Sequence, residues 1–290
     1  MTDQLDGWPA SRIRDLIGVE VSSLQPIGGA GFGRPYRADL TDGRQVFVKA
    51  DRDAALGFFD HEAWGLRWLG EVTEGARVAT VVAAGQDMLI LDWVPSSGIA
   101  SRAAAADFGR RLAITHAAGA PGFGRPVDSV LASESLPGGE YADWPTFYAE
   151  ARLIPFLDRA VAAGHLDDHD QQSIRRLIGR LPELAGPSER PARLHGDLWS
   201  GNVIWSDREA VMVDPAAYGG HRETDLAMLA LFGLPHLDVA LDAYQSEHPL
   251  AAGWQQRVAL HQLFPLLVHA VIFGGSYGAA AGDAARRFLH

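Results

Sequence analysis

Leu194-His195-Gly196-Asp197-Leu198-Trp199-Ser200-Gly201-Asn202-Val203-Ile204-Trp205 is followed, after a polar turn over 206–209, by Ala210-Val211-Met212-Val213-Asp214. The two short apolar runs bracket turn-forming residues, so the stretch reads as a hairpin of two short strands. Asn202 enters that hairpin and Asp214 leaves it, which puts both at the same open end. One amide and one carboxylate side by side offer oxygen ligands that suit a hard cation such as Mg²⁺, which needs only one or two protein ligands. The same residue types also build plain turns, with Asp197 and Asp214 as turn formers. A functional reading therefore depends on what else the chain brings to this place.

Upstream, residues 19–50 alternate as strands: a first run, the glycine stretch Gly28-Gly29-Ala30-Gly31-Phe32-Gly33, a second run, a Thr41-Asp42-Gly43 turn and a third run ending Val46-Phe47-Val48-Lys49. An amphipathic helix over 9–17 precedes them, with Pro9 at its first position. A helix follows over 53–69, with Asp53 as its expected cap, and then two more strands before Pro95-Ser96-Ser97-Gly98, a linker. Beyond it the periodicity is mainly helical, over 103–118, 144–163, 169–181, 224–232, 237–245 and 255–273. The fold class is thus α+β and two-lobed. Residues 1–94 form an N-terminal lobe of five antiparallel strands and one helix, and 95–290 a mainly helical lobe carrying the 194–214 stretch. The cleft between such lobes is a common ligand site.

The N-terminal part adds charge and backbone to the constellation. Glycines at 29, 31 and 33 between two strands let a loop fold closely over a polyphosphate with its N–H groups inward. No Lys-Ser/Thr pair follows, so this is not a P-loop. A strand follows where a dinucleotide fingerprint would need a helix. Lys49 is the single lysine among 25 basic residues, all the others being arginine. That bias points to a position where a compact ammonium is required and a planar guanidinium is not. Glu62 shares a helical face with Phe59, Leu66 and Leu69, and a carboxylate there needs a partner. Lys49 is the nearest cation by the order of elements, and the pair would hold the ammonium toward phosphate oxygens. Asn202 follows Asp197 by five positions, the spacing of base and metal-binding amide in a kinase catalytic loop.

Composition removes several classes. A net charge of −11 with no basic run argues against nucleic acid and anionic membrane as partners. The absence of cysteine excludes thiolate nucleophiles and cysteine zinc sites. The first ten residues lack the features of a secretory signal, and the apolar stretch 258–275, interrupted by His261, Pro265 and His269, reads as a buried helix. A cytoplasmic monomer is expected. The acidic 165–170 cluster reads as a solvated helix start.

The string His-Gly-Asp-Leu-Trp-Ser-Gly-Asn at 195–202 resembles the catalytic loop of the fructosamine (ketosamine) kinase family, in the aminoglycoside-phosphotransferase-like branch of the protein-kinase-like fold. Residues 143–153, 213–233 and 257–274 resemble other segments of that family, and 28–38 and 46–50 match more loosely. The resemblance implies ATP and Mg²⁺ as cofactors. Asp197 would be the catalytic base, Asn202 and Asp214 metal ligands, and Lys49 and Glu62 the phosphate-anchoring pair. Asp92, Trp93 and Val94 would meet adenine at the hinge, and Asp225 would brace the catalytic loop. Gly196 stands where regulated protein kinases carry an arginine, and Pro215-Ala216 leaves no room for a long activation loop. A permanently assembled small-molecule kinase follows, acting on the 3-hydroxyl of a ketosamine, free or protein-bound. Alternatives are a kinase of the same fold acting on an aminoglycoside, choline or another hydroxyl, and a nucleotide-binding pseudokinase. Trp199, Tyr218 and His221 are candidate substrate contacts.

Overall fold

A computed structural model of the chain describes residues 7–28, 33–131, 133–206 and 209–289. Its N-terminal part runs α1 (Trp8–Ile17), β1 (Val21–Pro26), β2 (Arg34–Leu40), β3 (Gln45–Ala50), α2 (Phe58–Gly70), β4 (Arg77–Val78), β5 (Val81–Gly85) and β6 (Met88–Asp92). Five of these strands form one antiparallel sheet in the order β1-β2-β3-β6-β5. Alternation along β3 and β6 decides which face each residue serves. Val46, Val48, Met88 and Ile90 pack beneath α1 with Ile13, whereas Leu89 and Leu91 pack against Phe59, Ala63 and Leu66 of α2. Lys49, out of phase with Val46 and Val48, therefore points to the α2 side. Each fully buried aliphatic side chain here contributes about 1.5–3 kcal/mol.

Three details of this part differ from the sequence reading. The sheet carries two helices rather than one, because α1 closes its far face. α2 starts at Phe58 behind Gly57, which has φ 78° and no side-chain cap, so Asp53 is not its cap. The Asp53 N–H donates instead to the Asp51 carboxylate. The run expected as one strand near residue 80 splits, and β4 pairs in parallel with a strand of the C-terminal part.

That C-terminal part contains α3 (Arg102–Ala117), β7 (Phe123–Arg125), β8 (Ser129–Leu131), β9 (Glu134–Leu136), β10 (Gly139–Tyr141), α4 (Trp144–Phe147), a π-helical turn (Tyr148–Leu153), α5 (Ile154–Ala162), α6 (Asp168–Ile178) and α7 (Leu181–Leu184). It continues with β11 (Ala192–Leu194), β12 (Val203–Trp205), β13 (Ala210–Met212), β14 (Tyr218–Gly220), α8 (Glu223–Phe232), α9 (Leu237–Glu247), α10 (Trp254–His261), α11 (Leu263–Phe273) and α12 (Tyr277–Arg286). The expected hairpin is present: Val203 pairs with Met212 and Trp205 with Ala210. A four-stranded sheet β10-β7-β14-β11 and the hairpin β8-β9 have no counterpart in the sequence pattern. Among the described residues, the α10–α11 stretch Trp254–Phe273 is long and apolar enough to cross a membrane, but 61 % of its most apolar window is buried in the fold. The 165–170 cluster caps α6, with the Asp167 carboxylate accepting from the Asp170 N–H at 2.7 Å.

The two parts are joined by backbone as well as side chains. β4 lies beside β13, the Ala79 N–H donates to Met212 O at 3.0 Å, the Ser97 N–H donates to Trp205 O at 3.1 Å, and Arg77 meets Glu209 at 2.6 Å. The hairpin that carries Asn202 and Asp214 is thus continuous with the N-terminal part.

Candidate active site

Lys49 and Glu62 meet as expected. The Lys49 Nζ donates to both Glu62 oxygens, at 3.0 and 2.9 Å, and to the Asp214 carboxylate across the cleft. Burial alone would lower the Lys49 pKa, but the two carboxylates outweigh it and hold the ammonium above its ordinary value. Burial pushes Glu62 up; Lys49 opposes that and Asp214 reinforces it. Asp214 itself sits at φ 59°, a left-handed conformation unusual for a residue with a side chain and common at functional turns.

Asn202 and Asp197 face one another. The Asn202 Nδ2 donates to Asp197 Oδ2 and to Asp197 O, both at 2.9 Å, and the Val213 N–H donates to Asn202 O at 3.0 Å. The two ends of the hairpin are therefore adjacent. Burial, then the charge of Asp214, pushes Asp197 up to about 7, although Asn202 and Lys49 pull the other way. Three carboxylates, Glu62, Asp197 and Asp214, gather around one ammonium, which leaves the site short of positive charge.

The loop is held from behind by a buried carboxylate. Asp225, in the first turn of α8, accepts from the His195 N–H at 2.8 Å and the Gly196 N–H at 3.0 Å, and pairs with His116 Nε2 at 3.2 Å. Burial would raise Asp225, but His116 and His195 together hold it below the ordinary carboxylate range. The other nitrogen of His116 meets the Tyr244 hydroxyl at 2.9 Å. Burial keeps His195 below its ordinary value and hence neutral. Its Nε2–H donates to Val213 O at 2.9 Å, and its Nδ1 accepts from the Asp197 N–H at 3.3 Å. Gly196 has φ 83°, and a Cβ there would lie 2.2 Å from Ala216 O, so no side chain fits at this position.

A cavity of about 410 Å³ opens beside these groups. Lys49, Glu62 and Asp214 form one wall, Asp92, Trp93 and Val94 another, and Val203, Ile204 and Trp205 a third. The structure thus brings together Lys49, Glu62, Asp214 and the 92–94 segment, with Asp197 and Asn202 at the adjoining loop. Gly33 has φ 84°, a backbone conformation that only a glycine adopts without strain, beside Ala50 and Phe59. Gly29 and Gly31 lie outside the described residues. Trp199 is half-buried, and its ring covers the space a Cβ on Gly201 would need.

Tyr218 and His221 do not reach the cleft as expected. Both are 3 % exposed. Tyr218 packs between Phe147 and the Arg152 guanidinium, and His221 stacks near Trp144 and His261. β14 carries them into the core of the helical part, a consequence of a sheet that the sequence pattern does not disclose. His221, Glu223 and His261 also bring three ligand-type atoms within 4.8 Å of one another. Arg257 already closes both Glu223 oxygens, at 2.9 and 2.5 Å, so the charge there is met.

Two contributors carry no sequence signal of their own: His116, which lies 109 positions from its partner Asp225, and Gly65. A Cβ on Gly65 would stand 3.1 Å from both Pro215 and Ala217, so the absent side chain lets α2 close onto the segment after Asp214. Glu62 lies one helical turn earlier. Gly65→Val is expected to push α2 away, lower stability by about 1–3 kcal/mol and raise the KM for nucleotide. If the effect passes through Glu62, adding Gly65→Val to Glu62→Ala changes KM little further, and additive losses would show that Gly65 acts elsewhere.

A family model described as fructosamine kinase matches residues 12–290. A Lactiplantibacillus plantarum protein named probable ketoamine kinase is 34 % identical over 267 residues, covering 90 % of this chain and 92 % of its own. The chloroplastic protein-ribulosamine 3-kinase of Arabidopsis thaliana is 34 % identical over 282 residues, 93 % of this chain and 85 % of its own. A crystal structure from Thermobifida fusca, named for fructosamine-3-kinase, superposes with a TM-score of 0.93 at 44 % identity over 97 % of this chain and 98 % of the other. A macrolide 2'-phosphotransferase from Brachybacterium faecium shares the fold alone, with a TM-score of 0.65 at 15 % identity over 97 % of this chain and 98 % of the other.

Proposed function

The chain belongs to the fructosamine kinase family, and from that premise we propose that it transfers the γ-phosphoryl group of ATP to the 3-hydroxyl of a ketosamine. The observation that supports this reading is the Lys49 ammonium held by Glu62 and Asp214 beside a nucleotide-sized cavity, with Asp197 on the loop that Asn202 joins to the same hairpin end.

Phosphoryl transfer has a loose transition state, so the protein positions groups and neutralises charge. Asp197 orients the sugar hydroxyl and accepts its proton as that oxygen bonds to phosphorus and the bond to the bridging oxygen breaks. Lys49, fixed by Glu62, spreads the triphosphate's negative charge. Backbone groups of Asp92, Trp93 and Val94 meet the adenine. Asn202 and Asp214 fit a divalent cation: they are hard oxygen donors at adjacent hairpin ends, in a site where three carboxylates outnumber one ammonium. Mg²⁺ bound there supplies further neutralisation of phosphate charge. Asp225 holds the loop so that Asp197 stays aimed. Pro215-Ala216 and the closely following Asp225 leave the site assembled without an activation loop.

Incubation of the purified chain with ATP, Mg²⁺ and a panel of ketosamines, aminoglycosides and amino alcohols tests this. ATP-dependent phosphorylation of the ketosamines is expected, stopped by a chelator and restored by added Mg²⁺. Turnover of an aminoglycoside or amino alcohol with no ketosamine product would replace this reading with the related one.

A further inference from the structure

A row of aromatic rings runs outward from the catalytic loop. Trp199 meets Phe232 edge-on, with ring centroids 6.5 Å apart. Phe232 lies 4.6 Å from His269, which in turn lies 5.4 Å from Phe273 and 5.0 Å from Tyr277. Phe273 ends α11 and is 66 % exposed, and the other four are half-buried. Gly274 and Gly275, both at φ 63°, turn the chain at once into α12, which sets Tyr277 beside Phe273. Exposed single apolar residues need no explanation, but a contiguous row ending at a functional loop does.

Position and charge say which end of the reaction the row serves. It starts two residues beyond Asp197, and none of its members lines the nucleotide-sized cavity, so it extends from the acceptor side of the loop. A ketosamine carries a protonated secondary amine, and the faces of aromatic rings attract such cations. The arginine–ring contacts seen among the described residues fall on other rings, such as those of Trp8, Trp64, Trp93 and Tyr218. The chain's net charge of −11 likewise suits a cationic substrate.

We propose that the outer part of this row, Phe232, Phe273 and Tyr277, receives the amine-side substituent of the substrate, the carbon skeleton to which the sugar is attached, and so sets preference among ketosamines. The proposal rests on the ketosamine reading above.

The test uses the full chain, ATP and two substrates that bear the same fructosyl group, one on methylamine and one on 2-phenylethylamine. The measured quantity is the ratio of their kcat/KM values, phenylethyl over methyl. The wild-type ratio is expected to exceed one, and Phe273→Ala is expected to lower it roughly fivefold, the worth of one ring–ring contact. At 66 % exposure the substitution leaves no buried cavity, and an unchanged melting temperature verifies folding. A wild-type ratio of one, or a ratio that Phe273→Ala leaves unmoved, overturns the proposal while the ketosamine reading survives. Turnover of neither substrate alongside phosphorylation of another hydroxyl compound overturns the ketosamine reading and this proposal with it.

Discussion

Asp197→Asn is expected to reduce kcat by about 10²–10⁴-fold and, at neutral pH, to raise the melting temperature. The asparagine keeps an oxygen to accept from Asn202 but cannot take a proton from a substrate hydroxyl. The stability gain follows from the position of Asp197 in the site. Burial and the nearby Asp214 push it from the ordinary 3.8 to about 7. A carboxyl whose folded-state pKa is raised contributes its stability fully at acid pH and loses it as pH rises through the folded value. The cost of ionising Asp197 therefore appears between about pH 4 and pH 7, at most ~4 kcal/mol for the full shift and nearer 1–2 kcal/mol for a half-buried group. Asp197→Asn should match the wild type near pH 4 and exceed it progressively toward pH 8, by a few degrees in a chain of this size. Thermal unfolding and steady-state kinetics across that range check both arms. A variant with wild-type kcat would remove Asp197 from the chemistry, and a pH-independent difference in melting temperature would remove the electrostatic account of its cost.

The groups behind that trade-off are partly legible in the sequence. The spacing of Asp197, Asn202 and Asp214 implies a hairpin whose open end gathers oxygen ligands, and the hairpin pairs as expected. Lys49 stands out by composition and Glu62 by its place on an apolar helical face, and the two meet at 2.9 Å. Long amphipathic segments are legible for the usual reason, that eleven or more residues sample a period several times. The strands at 123–125, 129–131, 134–136, 139–141 and 218–220 are three residues each, too short to show alternation, and the sheet that joins four strands of this part pairs segments remote in sequence. Tyr218 and His221 are misread for that reason: their burial is decided by a sheet no local pattern reveals. Gly65 is unreadable for a different reason, since its role is the absence of a side chain opposite Pro215. The His116–Asp225 contact joins two helices whose sequences record only an apolar face.

Asp225→Ala is expected to be the most damaging single change in the helical part. The carboxylate is 1 % exposed and accepts from two successive backbone N–H groups, of His195 and Gly196, while also engaging His116. Truncation strands two buried donors, each costing about 1–3 kcal/mol when unpaired, and leaves the imidazole without its carboxylate. A loss of about 3–5 kcal/mol follows, roughly a 10 °C fall in melting temperature. The kinetic effect comes from the same bonds. They tie the start of the catalytic loop to α8, and Gly196 accepts no side chain because Ala216 O lies against it, so the loop is seated with little slack. A shift of about 1 Å in a catalytic group costs on the order of 10²-fold in rate, so kcat should drop at least that far in whatever fraction remains folded. Asp225→Asn separates bracing from charge. Its amide oxygen can satisfy one of the N–H groups while its NH₂ faces another donor, so stability and kcat should both fall between alanine and wild type. His116→Ala removes the third partner alone and should lower stability by less than Asp225→Ala, with kcat reduced through the loosened carboxylate. The order Asp225→Ala, then Asp225→Asn, then His116→Ala, measured in kcat at a temperature where all three are folded, is what a brace behind the catalytic base requires. Equal kcat in all three would mean that the loop is held by its own turn and the hairpin, with Asp225 merely filling space.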